Sequence, residues 1–212
     1  MEYRRLEAAE PKEAAAVLIL MGINALLFLL CYKAGGEGGG IDGQTMLRYG
    51  AMLTSKVEDG EYWRYLSSMF LHFDLEHLVG NMLALFVIGA ILEKGLGHIR
   101  TVVIYLLSGF GANVCSQLWS VHLREEVLSA GASGAIFGLM GALIFAALFD
   151  REKIGALSPL QIIVLLVLTL YHGVGAAVDD AAHLSGVVIG FILAAIFKGL
   201  RREPKKDPYQ YW

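Results

Sequence analysis

The chain has 212 residues, 56% hydrophobic and 17% charged, with a formal net charge of -3 and a mean hydropathy of +0.58. Average soluble domains carry roughly 25% charged residues, so an ordinary soluble globular domain is excluded. No nucleic-acid partner is expected.

Six apolar runs dominate the sequence, at residues 14–32, 78–92, 101–119, 132–149, 159–177 and 181–197. A helix crossing a bilayer needs about 20 residues, within a range of about 17–25, and helices are the conformation that satisfies backbone polar groups there. The first run follows a charged tail at 1–13 and lacks a small-residue cleavage site, which predicts a retained helix rather than a signal peptide. The connection 33–76 divides in two. Ala34 to Gly40 reads as a flexible linker by composition. The remainder, with Met52-Leu53, Tyr62-Trp63-Arg64-Tyr65-Leu66 and Met69-Phe70-Leu71, is too apolar for a solvated loop. Its Trp, Tyr and Arg favour a membrane–water interface, so it is expected at the membrane edge, against the bundle.

The second run reaches spanning length only when extended from His77 to Leu96, which carries Asn81 and Glu93 to membrane depth. Cys31 and Cys115 both fall inside apolar runs, so no disulfide framework is expected. The fourth run opens on Gly131-Ala132-Ser133-Gly134-Ala135-Ile136-Phe137-Gly138, and the sixth on Ala182-His183-Leu184-Ser185-Gly186. The basic tail from Lys198 to Lys206 suits orientation and contact with anionic lipid.

If the six runs alternate across a bilayer, twelve Lys and Arg fall on the side of the termini and five on the other. The bias of Lys and Arg toward the cytoplasm predicts that both termini lie there. Ser133, His183, His77 and Asn81 then share a depth toward the outer face. Polar groups in spans are costly and are functional candidates.

A serine hydroxyl becomes a useful nucleophile when a base lies within about 2.6–3.2 Å. Gly134, Gly138 and Gly141 leave one face of the fourth run bare, and Gly186 with Gly190 do the same for the sixth. Such faces let helix backbones approach closely, which would bring Ser133 to His183. The same glycines are compatible with packing alone, and Ser133 with a helix cap. His77 and Asn81, four residues apart, share a helical face and carry N–H groups suited to an oxyanion. Interhelical hydrogen bonding of Asn81 and interfacial placement of His72 and His77 are the alternatives. The histidines at 72 and 77 are five apart and no HExxH occurs, which disfavours a helical zinc site. No pair of Asp falls in the runs, disfavouring aspartyl proteolysis. Neither metal nor cofactor is expected.

On these residues the chain resembles the rhomboid family of intramembrane serine proteases, in its compact six-helix bacterial form. The resemblance rests on the GASGAIFG segment with Ser133, on Ala182-His183 followed by Gly186 and Gly190, and on His72, His77 and Asn81. Trp63-Arg64, nine residues before His72, and Glu93, twelve after Asn81, extend it over about residues 60–190. It implies an all-α membrane protein: a six-transmembrane-helix bundle at 14–198 with a membrane-edge loop, 33–76, between helices 1 and 2, and cytoplasmic tails at 1–13 and 199–212.

The resemblance further implies Ser133 as nucleophile and His183 as general base, a dyad without the Asp of the serine-protease triad. His77, Asn81 and the Ser133 backbone N–H would hold the oxyanion, and His72 would help retain water. Trp63, Arg64, Glu93, Gly131, Gly134, Gly186 and Gly190 would be structural. Phe137 stands where the family often has a Tyr stacked on the histidine, so stacking is kept and a hydroxyl hydrogen bond lost. His98, His122 and His172 match no catalytic position. Implied substrates are transmembrane proteins in the bilayer, with small residues at the cut and helix-weakening residues beyond it, admitted by movement of the run 159–177 and the loop 173–180. Two other readings compete: an inactive relative that binds transmembrane helices, and a small transporter using His72, His77, His183 and Glu93 as a proton path.

Overall fold

The computed structural model describes residues 14–151 and 179–200, which are mostly helical. The run 159–177 and most of the loop after it lie outside the described residues, as do 1–13 and 201–212. In chain order the helices are α1 (Ala15–Gly35), α2 (Gly43–Tyr49), α3 (Thr54–Glu58), α4 (Arg64–Ser67), α5 (Leu75–Leu96), α6 (His98–Leu123), α7 (Ser133–Phe149) and α8 (Asp180–Gly199). Four of them, α1, α5, α6 and α8, are long and apolar enough to cross a membrane.

Helix α7 is different. Its 17 residues span about 25 Å at about 1.5 Å per residue, less than the roughly 30 Å hydrocarbon core. Thirteen of the 17 are buried, so α7 is the central helix, enclosed by α5, α6 and α8. Ile136, Leu139, Met140 and Leu143 fill the core with Leu85 and Ile88 of α5 and Ile104 of α6.

Small residues make the closest contact. On α8 the buried positions Ala182, Gly186, Gly190 and Ala194 recur every four residues, while Leu184, Val188, Ile192 and Ile196 face outward. That inverts the pattern of a soluble helix. In lipid, burying large apolar side chains gains little, whereas small ones let backbones meet. A Cβ on Gly186 would collide with the Gly134 carbonyl, and one on Gly190 with the Gly138 carbonyl.

The stretch from Ala34 to Gly40 departs from the expected flexible linker. Helix α1 runs on to Gly35, and β1 (Gly36–Glu37) pairs with β2 (Gly40–Ile41) in an antiparallel hairpin. Gly38 and Gly39 have φ of 60° and 94°; positive φ at both central residues gives the tight turn whose twist matches paired strands. Composition signalled glycine but not this geometry.

The rest of the segment 33–76 buries Met46, Met52, Val57, Met69 and Leu71. Strand β3 (Met52–Leu53) pairs with β4 (Leu128–Ser129), so this segment is hydrogen-bonded to the backbone just before Ser133. The two ribbons qualify the all-α expectation without changing the helical class. Arg64 is buried and donates from Nη1 to the carbonyls of Leu47 and Ala51, both at 2.8 Å, and from Nε to Glu61 at 2.8 Å. Trp63 lies over its guanidinium at 4.5 Å and stays exposed.

No side chain of α1 caps its own start. The Glu93 carboxylate of α5 instead accepts from the backbone N–H groups of Ala16 and Val17, at 2.7 and 2.8 Å, and pairs with His98. A buried carboxyl group thus satisfies two N–H groups that a helix start leaves without intrahelical partners.

Candidate active site

Three helix starts converge. Asp74 caps α5, accepting from the His77 backbone N–H at 2.7 Å. Asp179 caps α8, accepting from Ala182 N–H at 2.9 Å, and thereby sets the turn that carries His183. Helix α7 begins at Ser133 itself after Gly131, whose φ of 147° suits glycine. The Gly131 N–H donates to the Ser68 carbonyl at 3.0 Å. A Cβ on Gly131 would sit 3.0 Å from two atoms of the His77 ring, so the missing side chain lets that imidazole lie beside the Ser133 turn.

Ser133 Oγ lies 3.0 Å from His183 Nε2, although 50 residues separate them. Both side chains are half-buried. The Ser133 side chain makes no cap for α7; it turns to α8 instead. His183 Nδ1 is buried and has no hydrogen-bond partner among the described residues. Its ring stacks on Phe137, with centroids 4.2 Å apart and planes 21° apart. If Nδ1 carries the imidazole proton, Nε2 is free to accept from the Ser133 hydroxyl, which is the arrangement a base needs.

His77 touches two rings: Phe73, stacked at 6.5 Å, and His72, edge-on at 5.0 Å. His72 is 1% exposed and neither of its ring nitrogens is hydrogen-bonded among the described residues. Burial chiefly, with the neighbouring His77 second, pulls its pKa down to about 3, so the ring is neutral at physiological pH. Asn81 is buried and donates from Nδ2 to the His77 carbonyl at 2.9 Å. Its amide is thus held against its own helix, one turn below His77, rather than bonded to another helix.

The residues singled out in the sequence are therefore distributed unevenly. Ser133, His183 and Phe137 meet directly, and His77, His72 and Gly131 adjoin them. Trp63 and Arg64 lie in the segment 33–76, and Glu93 at the α1 start. The sequence gives no hint of Asn113, Ser116 or Asp179 as parts of this arrangement beyond one capping signal. Asn113 donates to the Tyr65 carbonyl at 2.8 Å and to Ser68 Oγ at 3.0 Å, and Ser116 donates to Asp179. An Asp directly before an apolar run is a helix-start signal that could have marked Asp179. Nothing in the sequence pairs it with Ser116.

Long apolar helices around a serine–imidazole pair define an integral membrane protein with a buried polar site. The Rhomboid domain model matches residues 59–199. Rhomboid protease GluP of Bacillus subtilis is 34% identical over 195 residues, covering 92% of this chain and 37% of that protein. RHOMBOID-like protein 5 of Arabidopsis thaliana is 37% identical over 156 residues, 72% of this chain and 49% of that one. Rhomboid protease AarA of Providencia stuartii is 30% identical over 175 residues, 72% of this chain and 62% of that one. The chain belongs to the rhomboid family. It spans between 37% and 62% of the length of these relatives.

Proposed function

We propose that this chain is an intramembrane serine endopeptidase that hydrolyses peptide bonds in or near transmembrane segments of other proteins. The observation that carries this reading is the 3.0 Å contact between Ser133 Oγ and His183 Nε2 at converging helix starts. Kinship with two proteins named rhomboid proteases supports it.

Ser133 Oγ attacks the carbonyl carbon as His183 Nε2 takes the hydroxyl proton. The carbonyl oxygen becomes an oxyanion, held by the Ser133 backbone N–H, the His77 ring and the Asn81 amide. Fixed donors at a helix N-terminus suit that charge. The C–N bond breaks as His183 returns the proton to the leaving amine, leaving an acyl ester on Ser133. A water retained near His72 gives its proton to His183 and attacks the ester; His183 then passes that proton to Ser133 Oγ as the C–O bond breaks, releasing the second fragment and restoring the serine. A helical substrate must unwind locally first, because its carbonyls are engaged in i to i−4 bonds.

The architecture proposed for this activity has six transmembrane helices at 14–198, the fifth at 159–177, and the segment 33–76 at the membrane edge. Tails at 1–13 and 199–212 lie in the cytoplasm, and the site faces the outer side of the cell membrane. The charge bias supports this orientation.

Detergent-solubilised protein exposed to a serine-directed fluorophosphonate, and separately to a single-span substrate, tests the reading. The expected result is labelling and cleavage that both vanish in Ser133→Ala and His183→Ala. Thermal stability of Ser133→Ala should stay close to the parent, because one small hydroxyl is lost. An unlabelled parent that cleaves nothing overturns the proposal.

A further inference from the structure

Both halves of the Ser133–His183 pair are referenced to one face of α6. On the serine side, Asn113 donates to Ser68 Oγ at 3.0 Å, and the Ser68 carbonyl accepts from Gly131 N–H at 3.0 Å, two residues before Ser133. On the histidine side, Ser116 donates to Asp179 Oδ2 while Asp179 Oδ1 accepts from Ala182 N–H at 2.9 Å. The Asp179 backbone carbonyl in turn accepts from His183 N–H at 3.0 Å. Asn113 and Ser116 are three residues apart, so they project from the same side of the helix.

Asp179 therefore does more than cap α8. A cap alone fixes the first turn of its own helix and leaves that helix free to slide or rotate against its neighbours. The glycine contacts between α7 and α8 set separation, because they act through backbone collisions. The hydrogen bonds of Asp179 add a directional reference for the height and rotation of the α8 start. The Ser116 hydroxyl pins one carboxylate oxygen of Asp179 to α6, and the other oxygen pins the turn bearing His183. Since His183 Nδ1 has no partner among the described residues, no hydrogen bond there orients the ring. Orientation rests on the Phe137 stack and on the placement of the α8 start.

We propose that Asp179 and Ser116 are positioning residues: their contact sets the height and rotation of the α8 start so that His183 Nε2 meets Ser133 Oγ. The inference rests on the proposed protease function and concerns its geometry. Neither residue touches the reacting atoms. A misplacement of the base by about 1 Å can cost on the order of a hundredfold in rate, so kcat is where the loss falls, while substrate binding is largely spared.

The test measures kcat and KM separately on a single-span substrate, with fluorophosphonate labelling rates alongside, for Asp179→Ala, Asp179→Asn and Ser116→Ala. Asp179→Ala is expected to lower kcat at least tenfold with KM within twofold. Asp179→Asn keeps an oxygen for Ala182 N–H and an amide for the Ser116 hydroxyl, so it should restore kcat to within threefold of the parent. Ser116→Ala, which leaves the cap intact and should fold, is expected to lower kcat severalfold with the same unchanged KM. Parental kcat in Ser116→Ala, or equal losses in Asp179→Ala and Asp179→Asn, overturns the inference while leaving the protease reading in place. A parent that neither labels nor cleaves overturns both.

Discussion

Phe137 and His183 lie in parallel contact, ring centroids 4.2 Å apart, on adjoining helices α7 and α8. Phe137 is four residues after Ser133, so one helical turn carries both the hydroxyl and the surface on which its partner imidazole rests. Aromatic pairs contribute about 0.5–1.5 kcal/mol beyond burial. Phe137→Leu keeps much of the apolar volume and removes the flat surface. The rate of fluorophosphonate labelling is expected to fall by about tenfold, the equivalent of ~1.4 kcal/mol. A labelling rate equal to the parent's would show that stacking does not hold the ring.

Glu93 makes a prediction about stability rather than chemistry. Its carboxylate is fully buried and serves the N–H groups of Ala16 and Val17 as well as His98. Glu93→Ala strands those donors, and a buried unsatisfied donor costs about 1–3 kcal/mol. Thermal unfolding in detergent should shift down strongly, and Glu93→Gln, which keeps one acceptor oxygen, should shift less. Labelling of Ser133 per folded molecule should change less than twofold. An unchanged unfolding temperature in Glu93→Ala would refute the anchoring role.

The α7–α8 contact predicts sharp discrimination among glycines. A side chain at Gly190 meets the backbone of Gly138, which cannot step aside. Gly190→Leu should force the helices apart and reduce Ser133 labelling by about a hundredfold, in line with about 1–3 kcal/mol for overpacking and geometric loss at the pair. A Cβ on Gly22 of α1 would meet nothing within 4 Å. Gly22→Ala should leave labelling unchanged and stabilise α1 by up to about 1 kcal/mol through helix propensity. Similar behaviour of the two variants would contradict the packing described.

His72 predicts a pH dependence of stability. Its ordinary pKa of 6.5 falls to about 3 in the folded protein, where burial disfavours the cation. Below pH 6.5 the unfolded chain binds a proton there that the folded chain does not. The contribution is fully present above about pH 6.5 and is lost as pH falls toward about 3. Stability measured by denaturant unfolding at pH 7, 5.5 and 4.5 should decline, and His72→Gln should flatten that decline. An identical slope in parent and variant would rule out His72 as its source.

Much of this was legible in the sequence because apolar runs and small-residue spacing act over a few turns of helix. The extents of α1, α5, α6, α7 and α8 follow the runs within a few residues, and Ser133 and His183 were visible as polar groups at the mouths of two of them. What escaped was set by pairings across the chain. The Gly38–Gly39 turn depends on strands only two residues long. Ser116 lies 63 residues from Asp179, inside an apolar helix where a serine carries no distinguishing signal. The β3–β4 ribbon joins segments about 75 residues apart whose alternation is too short to read. Asn81 illustrates the limit of facing arguments: spacing puts it on one helical face with His77, yet does not say that its amide bonds to the backbone of its own helix.

The enclosure of α7 carries a consequence for how the protein meets lipids of different thickness. Hydrophobic mismatch acts on helices that present their length to acyl chains; α1, α5, α6 and α8, with 21, 22, 26 and 20 residues, are the described helices long and apolar enough to meet it. Helix α7 is sheathed by protein along most of its length, so neighbouring side chains, not the surrounding bilayer, decide how deep Ser133 is carried. Reconstitution into thinner or thicker membranes would then act first on α8, the lipid-facing helix that carries His183, and would reach the Ser133–His183 contact through the imidazole rather than through the hydroxyl.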